Sequence, residues 1–82
     1  MYYVYILRSL KNNKTYVGFT SKEVTMRLTE HNLGSNTWTS QNKPFQVIYY
    51  ESYYCEKDAR HRELFLKSGQ GKKLVKLIKD NY

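Results

Sequence analysis

In the run TYVGFTSKEVTMRLTEHNLG, residues 15 to 34, Arg27 and His31 stand four residues apart. On a helix that spacing stacks the two side chains one turn apart on a single face. A guanidinium grips two oxygens of a phosphate or carboxylate at once, and an imidazole accepts or passes a proton near neutral pH. A solvated helix face, with Glu23 and Glu30 as neighbours, would account for the same pair. Upstream lie Tyr5 and Tyr16. On antiparallel strands joined by an even-numbered loop, Leu10 to Asn13, Tyr5 would face Gly18 and Leu7 would face Tyr16. Both phenols then share one face, with room beside the Tyr5 ring at Gly18; ordinary sheet packing needs nothing different. Downstream, in EKDARHRELFLKSG, Glu63 borders the apolar stripe of Ala59 and Leu66. A carboxylate there calls for a metal ion or for a salt bridge to Arg60, Arg62 or Lys67.

The elements that must position these groups follow from local pattern. Residues 2–8, YYVYILR, and 15–20, TYVGFT, are rich in aromatic and β-branched types and read as a hairpin. Thr20 followed by Glu23 has the form of a capping box, which predicts a helix over about 21–33 ending at Gly34. Val24 and Leu28 give it an apolar pair. The polar stretch 34–44, GSNTWTSQNKP, reads as a long surface loop in which Trp38 either folds back on the core or offers a stacking surface for a base. Residues 45–54 read as a third strand. A second helix is expected from Glu56 or Asp58 to Ser68-Gly69, and a third over 71–80 with Leu74, Leu77 and Ile78 on one face. The order ββαβαα predicts an α+β fold: a small antiparallel three-stranded sheet flanked by three helices, as one domain over residues 1–82.

Fourteen Lys and Arg against seven acids leave a formal charge of +7, which attracts nucleic acid, an anionic membrane or an acidic partner. Lys72, Lys73, Lys76 and Lys79 form a basic helix edge suited to phosphate contacts or to plain solvation. No apolar run approaches the roughly 20 residues of a membrane span. The start of the chain lacks the basic region of a signal peptide. Cys55 is alone, which excludes a disulfide framework and a cysteine-rich zinc site and makes a reducing, cytoplasmic setting the expectation.

Taken in order, these residues resemble the GIY-YIG nuclease superfamily, in particular its small stand-alone, single-domain members similar to the excinuclease N-terminal domain. The first name-giving triplet is YVY, ending at Tyr5; the second is YVG, with Tyr16 and Gly18; RLTEHN supplies Arg27 and His31; ARHRELFLKSGQGKK supplies Glu63. The resemblance implies a metal-dependent endonuclease of low sequence specificity that hydrolyses phosphodiester bonds in DNA, with RNA as the other candidate substrate, in repair or processing. It implies Tyr5, Tyr16, Arg27 and His31 as the catalytic set. Glu63 would hold one Mg²⁺ or Mn²⁺, and Gly18, Lys72, Lys73 and Lys76 would lie along the nucleic acid. The chain departs from the family pattern at Tyr3, where the first triplet has glycine. It departs again in KKLVKLIKDN, whose only asparagine is Asn81 near the terminus. A non-catalytic nucleic-acid-binding module is the alternative that this last departure raises.

Overall fold

A computed structural model describes all residues, 1–82. Strand β1 (Tyr2–Ser9) turns through Leu10–Asn13 into β2 (Thr15–Thr20). Ser9 and Lys14 close the turn backbone to backbone at 2.8 Å, and Asn13 takes a positive φ of 66°, a conformation asparagine tolerates. The expected register follows: Tyr5 faces Gly18 and Leu7 faces Tyr16. Strand β3 (Phe45–Tyr53) pairs with the other side of β1, so the antiparallel sheet runs β2-β1-β3. The register slips between Ile6 and Leu7. The extra residue at that bulge lets two successive side chains, Ile48 and Tyr49, pack on the same face.

The sheet is covered on both sides. On one, α1 (Val24–Asn32) and α2 (Thr37–Asn42) enclose a small core of Tyr5, Leu7, Val24 and Phe45. On the other, α3 (Glu56–Lys67) and α4 (Gly69–Asp80) bury Val4, Ile6, Val17, Ile48, Ala59, Leu66 and Val75. Alternation along β1 sends Val4 and Ile6 one way and Tyr5 and Leu7 the other.

Two local expectations change. Helix α1 begins at Val24 rather than residue 21, and its N-cap, Glu23, makes no side-chain cap. Thr20 is still in β2, and its hydroxyl accepts from the Lys22 N–H at 3.0 Å, so residues 21–23 are used in the turn. The segment 34–44, expected as loop, contains α2. Asn36 caps it by accepting from the Thr39 N–H at 2.9 Å while the Thr39 hydroxyl accepts from the Asn36 N–H at 3.2 Å. The expected order thus holds with one short helix added before β3.

One partly buried polar group ties the α3 layer to the sheet. The Glu51 carboxylate, on β3, receives two bonds from Arg62 of α3, both at 3.0 Å. It also accepts from the hydroxyls of Tyr49 and Tyr53. Arg62 grips Glu51 with both arms of its fork, which fixes direction as well as distance. Burial and Glu51 together push the Tyr53 phenol up to about 12.

Candidate nuclease site

The site lies at β2, reached by His31 from the end of α1 on one side of the sheet and by α3 on the other. The Tyr5 ring lies across Gly18: a Cβ there would fall on Oη and Cζ of Tyr5 and 2.8 Å from Cε2. The ring is 1% exposed, and its hydroxyl meets Nε2 of His31 at 2.8 Å. His31 is wholly buried near the C-terminal end of α1, and its Nδ1 lies 3.5 Å from the Ser35 hydroxyl. Tyr16 sits edge-on to His31 with centroids 4.9 Å apart, and its ring stacks on Trp38, which in turn stacks on Phe45. Trp38 therefore does fold back on the core.

Arg27, one turn before His31, is 27% exposed and bonds Glu30 at 2.9 Å. Glu30 also holds Lys22 at 2.6 Å, so the carboxylate that anchors the guanidinium is itself shared. The positive charge of Arg27 lies near enough to the Tyr5 hydroxyl to favour its ionised form. One nitrogen of the Arg27 fork is thus committed to Glu30, and the others make no protein hydrogen bond.

Glu63 reaches the same edge from the opposite layer. Arg60 lies over the Phe19 ring at 4.2 Å, and Lys67 shares a cleft with Thr15, Tyr16 and Val17. Residues 60, 63 and 67 form one helical stripe, so Glu63 falls between those two contacts, abreast of Gly18 and the Tyr5 hydroxyl behind it. Its side chain is 17% exposed and accepts from Lys67 Nζ at 3.0 Å through Oε2. Of Arg60, Arg62 and Lys67 as salt-bridge partners, Lys67 is the one present.

Burial, the Tyr16 phenol and the Glu63 carboxylate all oppose ionisation of Tyr5; Arg27 works against them, and the phenol ends pushed up to about 12. The desolvation of a nearly sealed ring outweighs one partly exposed cation. Burial first, then the Arg27 charge, push His31 down to about 4. The Tyr5–His31 bond therefore joins two neutral groups at pH 7.

The low value for His31 carries a pH signature. The unfolded chain binds this proton near 6.5 and the folded chain only near 4. Stability from this group is complete above pH 6.5 and is lost as pH falls toward 4, about 3 kcal/mol in all, of which about 2 is gone by pH 5. Urea denaturation at pH 7 and pH 5 should show that loss, and His31→Gln should flatten it. An equal loss in the two proteins would place the titrating group elsewhere. Gly18→Ala should cost about 1–3 kcal/mol by overpacking and drive the Tyr5 hydroxyl off His31, which urea unfolding together with the imidazole NMR signals would register.

A cleft of about 550 Å³ adjoins the site, with Lys67, Lys72, Lys76 and Lys79 on one wall and Tyr16 and Trp38 on the other. Lys73 lies outside it. Sequence pattern marks Lys67 only as a salt-bridge partner and Lys79 only as part of the basic helix edge. The spacing of 72, 76 and 79 (i, i+4, i+7) is the signal that selects one face of α4 and leaves Lys73 off it. His61 is exposed. Asn81 is turned to its own helix, donating to the Leu77 carbonyl at 2.8 Å.

The sequence matches the GIY-YIG catalytic domain over residues 1–76. The chain belongs to the GIY-YIG family. UPF0213 proteins of Staphylococcus saprophyticus, Staphylococcus haemolyticus and Staphylococcus aureus strain Mu3 are each 30% identical to it over 80 residues, covering 96% of this chain and 95% of theirs. No solved structure matches significantly. GIY-YIG domains have a nuclease-type fold; the family's enzymes are generally endonucleases that act on nucleic acid and use a divalent metal. No helix of this GIY-YIG chain is long and apolar enough to cross a membrane.

The donor set suits such an ion in a particular way. No three His, Cys, Asp or Glu side chains gather anywhere in the molecule. A lone carboxylate whose second oxygen takes no protein hydrogen bond fits a hard ion that completes its shell with water and phosphate oxygens, as Mg²⁺ does. It does not suit zinc, which takes three or four protein ligands.

Proposed function

We propose that this GIY-YIG domain, spanning residues 1–82, is a metal-dependent endonuclease that hydrolyses phosphodiester bonds in DNA with low sequence specificity, in repair or processing within the cytoplasm. The observation that carries the proposal is the meeting of Tyr5, Tyr16, Arg27, His31 and Glu63 at one sheet edge, from both layers, beside a basic cleft.

Glu63 would hold the ion, Mg²⁺ or Mn²⁺. When bound, the ion would offset the charge that develops on the leaving oxygen. Arg27 would grip a non-bridging oxygen of the scissile phosphate, held in aim by Glu30. Tyr16 lines the cleft, which favours it over the sealed Tyr5 as the phenol that would pass on a proton from an attacking water. Tyr5 keeps its own proton and seals the back of the site. His31 is a positioning residue: buried entirely, it acts only through the Tyr5 hydroxyl and the edge of the Tyr16 ring. Gly18 keeps the backbone low enough for all this to fit. Lys72, Lys73 and Lys76 would lie along the nucleic acid.

The test is incubation of the purified protein with labelled single-stranded, duplex, nicked and branched DNA, and with RNA, in Mg²⁺, Mn²⁺ and EDTA. Cleavage in either metal and none in EDTA is the expected result. Salt-sensitive binding to every substrate without cleavage of any would overturn the enzyme and leave a nucleic-acid-binding module. The absence of an asparagine facing the site from α4 favours that second outcome.

A further inference from the structure

Resting on the nuclease proposal, the geometry points to a substrate class: we infer that the cleft beside Tyr16 holds an unpaired strand, so that the enzyme engages single-stranded segments in preference to continuous duplex. Three observations converge on this.

The first is charge. Lys67, Lys72, Lys76 and Lys79 line one wall of a single cleft. Lys67 is paired with Glu63 and Lys76 with Asp80, but Lys72 and Lys79 have no acidic partner. Four ammonium groups brought together repel one another unless a polyanion lies among them. The second is the surface beneath them. Val17, Leu66 and Val75 supply an apolar floor to the same cleft. Beside it the Phe45–Trp38–Tyr16 column, with centroids 5.6 and 5.3 Å apart, brings two aromatic rings to the border. A duplex presents its phosphates outward and its bases inward, so it would meet the lysines and leave this floor empty. A single strand offers both a charged backbone for the lysines and an unpaired base whose apolar face can cover the Val17, Leu66 and Val75 floor. The cleft's volume is in the range that encloses one small ligand, so a base fits within it while the backbone continues along the lysines. The third is continuity. Tyr16 belongs to the cleft and also touches His31 of the site. A strand lying in the cleft therefore borders the His31–Tyr5 pair through Tyr16 and Glu63 through Lys67.

The other sizeable hollow, between the start of α1 and β3, has Glu23 as its only charged lining residue, so it offers nothing to a polyanion.

Binding separates this inference from the proposed reaction. The full chain carrying Glu63→Gln, in EDTA, is titrated with a fluorescein-labelled oligothymidylate of about twelve residues and with its duplex, over a series of salt concentrations. Trp38, the only tryptophan, reports occupancy of the cleft when unlabelled strand is added. We expect the single strand to bind at least about ten-fold tighter than the duplex, with Trp38 emission changed at saturation. Four contacts correspond to a slope of log affinity against log salt of about −3, and Lys72→Ala, Lys76→Ala and Lys79→Ala should each make it shallower by about 0.7. These three lysines are exposed or at the cleft rim, so their loss should leave the fold intact. Equal affinity for duplex, an unchanged Trp38 signal at saturation, or a slope indifferent to the three substitutions would each overturn the inference. Strand binding of this kind by a wild-type protein that cuts nothing in Mn²⁺ would overturn the nuclease alone. Cleavage of duplex without strand preference would overturn the inference alone.

Discussion

Glu63→Gln should abolish cleavage in Mg²⁺ and Mn²⁺, a loss of at least about 10³-fold in kcat, while leaving nucleic-acid affinity unchanged or slightly raised. That is the expected result, and its two halves have separate causes. Glu63 is the one carboxylate placed abreast of the Tyr5 hydroxyl, and no cluster of other metal-binding side chains stands in for it. Removing its charge would remove the proposed anchor for a divalent ion, and with it several kcal/mol of charge stabilisation in the transition state; about 4 kcal/mol is three orders of magnitude in rate. The same change frees Lys67, now held at 3.0 Å, to face phosphate. Affinity therefore should not fall. Paired kinetics and polarisation measurements check both halves, and Mn²⁺ titration followed by electron paramagnetic resonance checks the ion itself. Retained cleavage in the variant would remove Glu63 from the reaction.

The second large effect is on stability. Gly71→Ala should unfold or severely weaken the domain. A Cβ at Gly71 would overlap the Phe65 carbonyl oxygen and lie 2.5 Å from the Leu66 Cα and 2.6 Å from the Phe65 carbonyl carbon. All three are backbone atoms of the last turn of α3, so no side-chain rotation relieves the overlap. Helix α4 must move away or α3 must shift, and either unseats Leu66, which is 1% exposed in the larger core. A cost of about 3 kcal/mol or more corresponds to a fall in Tm of about 12–24 °C for a domain of this size. Gly69 is the control: nothing lies within 4 Å of a Cβ there, and Gly69→Ala in the first turn of α4 should be neutral or mildly stabilising. Equal Tm values for the two variants would show that the α3–α4 corner tolerates separation.

Part of this arrangement can be read from the chain alone. The hairpin register needs only an even turn and the alternation rule, and Tyr5 against Gly18 follows. Helices α3 and α4 announce themselves by apolar spacing, although Leu77 of the expected α4 face is exposed and Val75 is buried in its place. Helix α2 does not, because its one large apolar residue is Trp38 and its stability rests on the Asn36–Thr39 exchange rather than on a periodic face. The start of α1 is hidden for a related reason: Thr20 has the right type for a cap but is held by the strand. The burial of His31 is likewise out of reach, since its spacing from Arg27 suggests a shared exposed face. The helix turns just enough to leave Arg27 at the rim and send the imidazole beneath Tyr5. The cleft is a matter of tertiary approach. Its lysines and its aromatic wall come from α3 and α4 on one hand and β2 and α2 on the other, and no local pattern says that they meet.

Glu51 gives the architecture a property that the reacting groups do not possess by themselves. It sits on β3, at the margin of the sheet opposite β2, yet its carboxylate grips Arg62, the immediate neighbour of Glu63. The angle at which the acid arrives is therefore dictated from across the whole width of the sheet, as a tie-rod sets the heading of a wheel. A change in β3 would therefore turn Glu63 without touching any residue of the candidate site.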